Sequence, residues 1–348
     1  MTPLILTAFA DLARLPVDTI IDVRAPAEFA EDHLPGAINL PVLSDAERAD
    51  VGTTYKRVSP FSARKIGAAL VARNTATHLD GPLADKQGDW QPLVYCWRGG
   101  QRSGAFATIL DHVGWRVQLL QGGYRSYRRL VVDMLYDTPL PHRLALVAGG
   151  TGTAKTELLH QLRQAGAQIL DLEGLARHRG SLFGAVAAGQ PAQKMFESSI
   201  AAALAPLDPS RLTWVEAESS KIGERIIPPA VWAAMHDAPR IEISAPLQAR
   251  AAYLCRAYAD LTGDPARLER QINQLRPFHA SALIEHWHAL ARAADWPALA
   301  AGLMQAHYDP RYQKSATTAS SVLQQLALPD LTQDTLAATA RQLAQNFT

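Results

Sequence analysis

The sequence predicts an α/β protein of two domains, each built on a parallel sheet, the second ending in a helical part. Three observations carry that expectation. Up to residue 137, short apolar strand-like runs alternate with helix-like segments, which is the pattern of βαβ units. A link punctuated by prolines, Asp137-Thr-Pro-Leu-Pro-His142, interrupts the alternation and has no period of its own. A new apolar strand then opens at Arg143 and runs directly into glycines and a helix. The expected domains are therefore 1–137 and 138–348.

The chain has 348 residues, long for one domain and ordinary for two. Its 48% hydrophobic and 19% charged residues exclude the disordered class. A net charge of +1 means that any nucleic-acid contact needs a local basic patch. There is no run of about twenty apolar residues. The N-terminus also lacks the successive charged, apolar and cleavage regions of a secretory signal. Met1 to Leu6 reads as a first strand, and the cytoplasm, with no membrane partner, is the expected location. Of the two cysteines, Cys255 lies in an alanine-rich helical stretch and reads as a small buried hydrophobe. The two cysteines form no disulfide framework, in keeping with a reducing compartment.

In the first domain, Thr19 to Val23 reads as a strand ending in a charged loop, and Leu93 to Tyr95 as a strand ending at Cys96. Ser103 to Val113 follows as a helix and Arg116 to Leu120 as another strand. A cysteine between a strand end and a helix start gains from inward-facing loop amides and the helix terminus, which favour its thiolate. Gly99 and Gly100 let the backbone curl into an anion nest. Arg98 and Arg102 add positive charge, so Cys96, Arg98 and Arg102 are the candidate catalytic residues. The spacing of Cys96, five residues and Arg102 is that of cysteine-dependent phosphatases. The stretches Ile21-Asp-Val-Arg-Ala-Pro-Ala-Glu-Phe29 and His33-Leu-Pro-Gly-Ala-Ile-Asn39 instead resemble the two signatures of rhodanese-type sulfurtransferases, and Tyr95 stands where a phosphatase would carry histidine. The domain is read as rhodanese-like, with Asp22 and Arg24 organising the loop.

In the second domain, Arg143 to Ala148 reads as a buried strand and Glu157 to Ala165 as a helix. Between them Gly149, Gly150, Thr151, Gly152, Thr153, Ala154, Lys155 and Thr156 form a P-loop, as in NTPase-like α/β domains. Its amides cradle phosphates, Lys155 reaches the outer ones, and Thr156 can hold Mg²⁺. Ala154 replaces the usual glycine before the lysine, so phosphate binding is expected more firmly than ATP hydrolysis. Glu216 and Glu218 end a further strand, where such folds place a metal-orienting acid. Asp171, Arg177 and Arg179 follow another strand and are supporting candidates. From Leu247 onward the chain reads as several helices.

Between Arg98 and Arg129 there are six arginines and one acid, Asp111, a local balance of +5. Arg125, Tyr127, Arg128 and Arg129 mix guanidinium groups with an aromatic ring, a combination that meets RNA phosphates and stacks on splayed bases. Five blocks in order, CWRGGQRS, DLEGLARHRGSLFG, QPAQKMFE, WVEAESSKIG and HYDPRY, resemble the bacterial tRNA 2-selenouridine synthase family over essentially the whole chain.

That resemblance implies conversion of wobble 2-thiouridine in the anticodon loop of tRNAs for Lys, Glu and Gln. Geranyl diphosphate would first alkylate the sulfur, and selenium from selenophosphate would then replace the S-geranyl group, with Cys96 carrying it. No tightly bound cofactor or resident metal is implied. Mg²⁺ could accompany the diphosphate, and a protein supplying selenophosphate would be a natural partner. The residues themselves leave three other readings open: a cysteine-dependent phosphatase or a thiosulfate-type sulfurtransferase, each fused to a nucleotide-sensing P-loop domain, and a non-catalytic binding module whose P-loop senses nucleotide.

Overall fold

The computed structural model describes residues 1–217, 219–315 and 321–347. The chain divides into two compact units, Met1–Pro139 with Pro191–Pro206, and Leu140–Gln190 with Leu207–Thr348. None of the helices among the described residues is long and apolar enough to cross a membrane.

The first unit carries a five-stranded parallel sheet of β1 (Thr2–Leu4), β2 (Thr19–Asp22), β3 (Ala37–Asn39), β4 (Pro92–Tyr95) and β5 (Gln118–Leu120). Their order is β1-β5-β4-β2-β3, so β4 is the middle strand. Its helices are α1 (Pro26–Glu31), α2 (Asp45–Arg57), α3 (Pro60–Asp80), α4 (Gln101–Val113) and α5 (Tyr124–Val132). Ser44 and Glu47 form a capping box at the start of α2, and Ser59 with Pro60 opens α3. Every residue of β4 is buried, as expected of a strand covered on both faces.

The second unit repeats the plan. β6 (Arg143–Gly149), β7 (Gln168–Leu170), β8 (Leu212–Glu216), β11 (Arg240–Ser244) and β12 (Val322–Ala327) form a parallel sheet ordered β12-β11-β6-β8-β7, again with the loop-bearing strand in the middle. A small hairpin of β9 (Lys221–Ile222) and β10 (Arg225–Ile226) lies apart from it. Between and after these strands come α6 (Lys155–Gln164), α7 (Leu172–Ala176), α9 (Pro229–Asp237) and α10 (Leu247–Ala257). The chain then continues through α11 (Ala259–Thr262), α12 (Pro265–Asn273), α13 (Ser281–Arg292), α14 (Trp296–Leu303), α15 (Asp309–Ser315) and α16 (Gln333–Asn346).

Two features depart from the sequence-based expectation. The helical C-terminal part contains a strand, β12, which completes the sheet beside β11. The segment Pro191–Pro206, expected within the second domain, belongs to the first unit through its helix α8 (Gln193–Leu204). The reason is a buried acid: Glu197 of α8, 2% exposed, pairs with Arg128 of α5 and accepts a hydrogen bond from the Tyr136 hydroxyl at 2.7 Å. A carboxylate so buried needs partners, and those partners are in the first unit.

Candidate active site

Cys96 follows the middle strand β4, at the carboxyl edge of the sheet, where ligands of parallel α/β folds bind. It is 4% exposed. The Gly100 amide points at its Sγ from 3.3 Å, and the Ser103 hydroxyl donates to it from 3.1 Å. Burial raises the thiol pKa. The Ser103 hydroxyl and the amides of Ser103, Arg98 and Gly100 outweigh that effect and hold the pKa below the ordinary thiol value. The guanidinium groups were expected to assist, yet neither hydrogen-bonds the sulfur. Arg102 turns to Glu28 of α1, Nη1 lying 2.7 Å from its carboxylate, while the Arg98 side chain is exposed. The thiolate is therefore stabilised by amides and a hydroxyl. Ser103, in the first turn of α4, is a site residue that sequence reasoning overlooked, although it closes the CWRGGQRS block. Ser103→Ala is expected to raise the Cys96 pKa and slow its alkylation by iodoacetamide several-fold at neutral pH. Arg102→Ala should change that rate less. A pH–rate profile on each variant checks the order.

The frame beneath the loop is rigid. Asp22 pairs in register with Tyr95, so the end of β2 lies beside the residue preceding the cysteine. The Arg24 guanidinium donates through Nε and Nη2 to Asp22 at 2.6–3.0 Å and through Nη2 to the Asp32 carbonyl at 2.6 Å, with both partners of the ion pair at most 1% exposed. It also lies over the Tyr124 ring, 4.1 Å from its centre. Gly123, at φ 60°, has no room for a side chain: a Cβ there would lie 2.3 Å from the Cys96 carbonyl and 2.5 Å from the Gly99 amide. The Tyr124 and Arg125 amides then donate to the Cys96 and Trp97 carbonyls.

The segment read as an RNA contact is thus partly a brace. Tyr127 is completely buried and Arg128 is engaged by Glu197 and Asp32, so neither side chain is presented to a partner as expected. Arg125 and Arg129 are exposed.

The phosphate loop follows the middle strand β6 of the other sheet. Ala154 takes the left-handed conformation, φ 60° and ψ 35°, that a glycine at this position would adopt. The loop therefore keeps its shape at the cost of some backbone strain. A Cβ on Gly149 would lie 2.6 Å from Thr153 Oγ1 and 2.7 Å from the Ile243 carbonyl. Lys155 Nζ donates to the Gly149 carbonyl at 2.9 Å, folded over the cradle that it would leave for a phosphate. The cleft around Lys155 and Thr156 is also lined by Glu173, Arg179 and Arg311.

The acids and bases named from sequence are sorted differently. Thr156 Oγ1 donates to Glu173 at 2.9 Å, so Glu173 is the carboxylate at the loop. Asp171 caps α7 through the Gly174 amide and pairs with His160 at 2.7 Å. Burial opposes its charge, but those partners and Glu216 lower its pKa overall. Glu216 is fully buried beside Asp171 and is not part of the cleft wall. Glu218 lies outside the described residues. Arg177 is exposed at the C-terminus of α7 and is also missing from the wall, whereas Arg179 is part of it.

Sequence reasoning took HYDPRY as a family block and gave its residues no individual role. In the fold, Asp309 holds Arg250, which in turn donates to the Thr151 carbonyl at 2.7 and 2.9 Å and braces the phosphate loop. His307 contacts Arg311 and His279, and its pKa falls to about 4 through burial first, then the Arg311 charge and the neighbouring His279, so it is neutral near pH 7. Cys255 is half-buried in a cavity wall rather than in the core.

A parallel-sheet domain with a cysteine loop, joined to a parallel-sheet domain with a P-loop, defines a protein of the rhodanese and P-loop types. The family models agree: residues 8–130 match the rhodanese-like domain, and residues 142–269 match the tRNA 2-selenouridine synthase AAA domain. The chain is 35% identical over 268 residues to the tRNA 2-selenouridine synthase of Nitrosomonas europaea, covering 76% of this chain and 69% of that one. It is 33% identical to that of Shewanella loihica and 36% to that of Chromohalobacter salexigens, each over 84% of this chain and 86% or 87% of the relative. The chain belongs to the tRNA 2-selenouridine synthase family.

Proposed function

We propose that this chain converts wobble 2-thiouridine of tRNAs for Lys, Glu and Gln to 2-selenouridine in two transfers, one at each loop, in the cytoplasm. The observation that carries this reading is the pair of separate anion-handling loops, sulfur-based at Cys96 and phosphate-binding at Gly149–Thr156, in a chain of this family. In the first transfer the thiocarbonyl sulfur of the base attacks C1 of geranyl diphosphate, the C–O bond breaks with its electron pair leaving on diphosphate, and the base gives up its N3 proton to solvent. Lys155 and the loop amides bind that leaving group, whose charge grows as the bond breaks. Mg²⁺, when bound, neutralises diphosphate charge. Thr156 and Glu173 are the residues to hold it, since they already meet at the loop.

The S-geranyl group is a better leaving group than the thiocarbonyl. Selenium in selenophosphate is already at the selenide level, so Cys96 acts as the nucleophile and not through a Cys–Se bond: its thiolate, held in the nest of amides, adds to C2 of the base, and the C–S bond breaks to release geranylthiol. The selenium of selenophosphate then displaces Cys96 from C2, and water cleaves the P–Se bond to leave 2-selenouridine and phosphate. The engagement of Arg102 by Glu28 weighs against the phosphatase reading, which needs that guanidinium on the phosphate. Arg125 and Arg129 remain the arginines of their segment open to tRNA phosphates.

Nucleoside mass spectrometry on 2-thiouridine tRNA with geranyl diphosphate and selenophosphate tests this scheme. Lys155→Ala is expected to lower S-geranyl formation by about 10²–10³-fold, the scale of losing one preorganised charge-stabilising group. Formation of 2-selenouridine at full rate with no prenyl donor would overturn the two-transfer reading.

A further inference from the structure

The phosphate-loop cleft has an apolar neighbour. Thr151, Ser181, Leu254, Tyr258 and Tyr308 line both the cleft and a second cavity between α10 and α14. The deeper walls of that cavity are Phe183, Leu268, Leu299 and Leu303, part of the core cluster around Trp287, together with Ala300 and Trp296. The space open to the centres of water-sized groups is about 80 Å³. One such group needs about 10–15 Å³, so a short chain of methyl- and methylene-sized groups fits. Protein cores leave few voids larger than a water, and this one opens beside a phosphate cradle.

The two halves are chemically opposite. Lys155, Arg179, Arg311 and the loop amides face one side, and hydrocarbon faces the other. At the rim, Ser181 and Tyr258 satisfy one another through a 3.2 Å hydroxyl contact. A nucleotide base needs placed donors and acceptors along its edges, and this wall supplies almost none. A compact phosphoanion carrying a short hydrocarbon tail meets complementary surface on both sides.

We propose that the slot between α10 and α14 holds the hydrocarbon tail of a prenyl diphosphate whose head lies on the phosphate loop. This rests on the prenyl-transfer reading above and adds to it a place for the chain. Ala300→Phe fills the slot from α14 while leaving every residue of the phosphate loop unchanged, and Cys255 reports on its occupancy from the wall.

Titration calorimetry with geranyl diphosphate and with inorganic diphosphate tests the slot. The full chain is expected to bind geranyl diphosphate at least tenfold more tightly, and Ala300→Phe to lose that advantage while binding inorganic diphosphate as before. A second measurement does not depend on the Phe variant folding. In a Cys96→Ser chain Cys255 is the remaining cysteine, and geranyl diphosphate should slow its alkylation by N-ethylmaleimide while inorganic diphosphate should not. If Ala300→Phe keeps the full tail advantage, or Cys255 reacts equally fast in saturating geranyl diphosphate, the slot is not the tail site. If the wild type both forms S-geranyl tRNA and shows either result, only the slot assignment falls. If the wild type gives no S-geranyl tRNA and no tail advantage, the prenyl-transfer reading falls with it.

Discussion

Replacing Cys96 by alanine is expected to abolish 2-selenouridine formation, a loss of at least about a thousandfold, while S-geranyl-2-thiouridine accumulates in the tRNA. The magnitude follows from removing a nucleophile rather than a group that assists one. The accumulation follows from the separation of sites: no atom of the phosphate loop is changed. In the folded protein the loop survives the substitution, because its shape rests on Gly99, on the close approach of Gly123 and on the α5 amides rather than on the thiol. Alanine also leaves no charged partner stranded, since the donors to Sγ are an amide and a hydroxyl. Nucleoside mass spectrometry separates the outcomes. Full-rate 2-selenouridine from the alanine variant would mean that selenium reaches the base without this loop.

Arg24→Met should destabilise the first unit by about 3–5 kcal/mol, the scale of stranding one charge of a buried pair. Whole domains are stable by only about 5–15 kcal/mol, so the variant approaches unfolding. Arg24 meets the Asp22 carboxylate through two donors and also bonds the Asp32 carbonyl, with no water to replace it at 1% exposure. Adding Asp22→Leu should recover much of the loss, because no uncompensated charge then remains. Urea unfolding followed by hydrogen exchange in the peptides of β2 and β4 reads the first unit. A loss below about 1 kcal/mol in the single variant would show that the pair does not hold the loop frame.

Both predictions concern residues that were legible in the sequence, and for a local reason. A cysteine or a glycine-rich run between a buried strand and a helix encodes its own backbone path, so the nest around Cys96 and the cradle at Gly149–Thr156 could be placed without tertiary information. The Asp22-x-Arg24 pair is similarly local, two residues apart at one strand end.

The rest depended on contacts between distant segments. Arg102 sits at the spacing of an anion-binding arginine, yet Glu28, 74 residues away, takes it and leaves the sulfur to Ser103. Tyr127 and Arg128 have the composition of an RNA-binding strip, but a buried acid on α8 and the core claim them. Glu173 rather than Glu216 reaches Thr156, because α7 turns one carboxylate to the loop while β8 buries the other. By itself the sequence determined two parallel-sheet units and the anion loop at the end of each middle strand, since hydrophobic period and glycine placement are short-range properties. Only the tertiary structure decided which charges face those loops, where α8 belongs and that an apolar slot lies beside the phosphate cradle. Ion pairing and cavity shape are set by side chains that meet in space from remote parts of the chain.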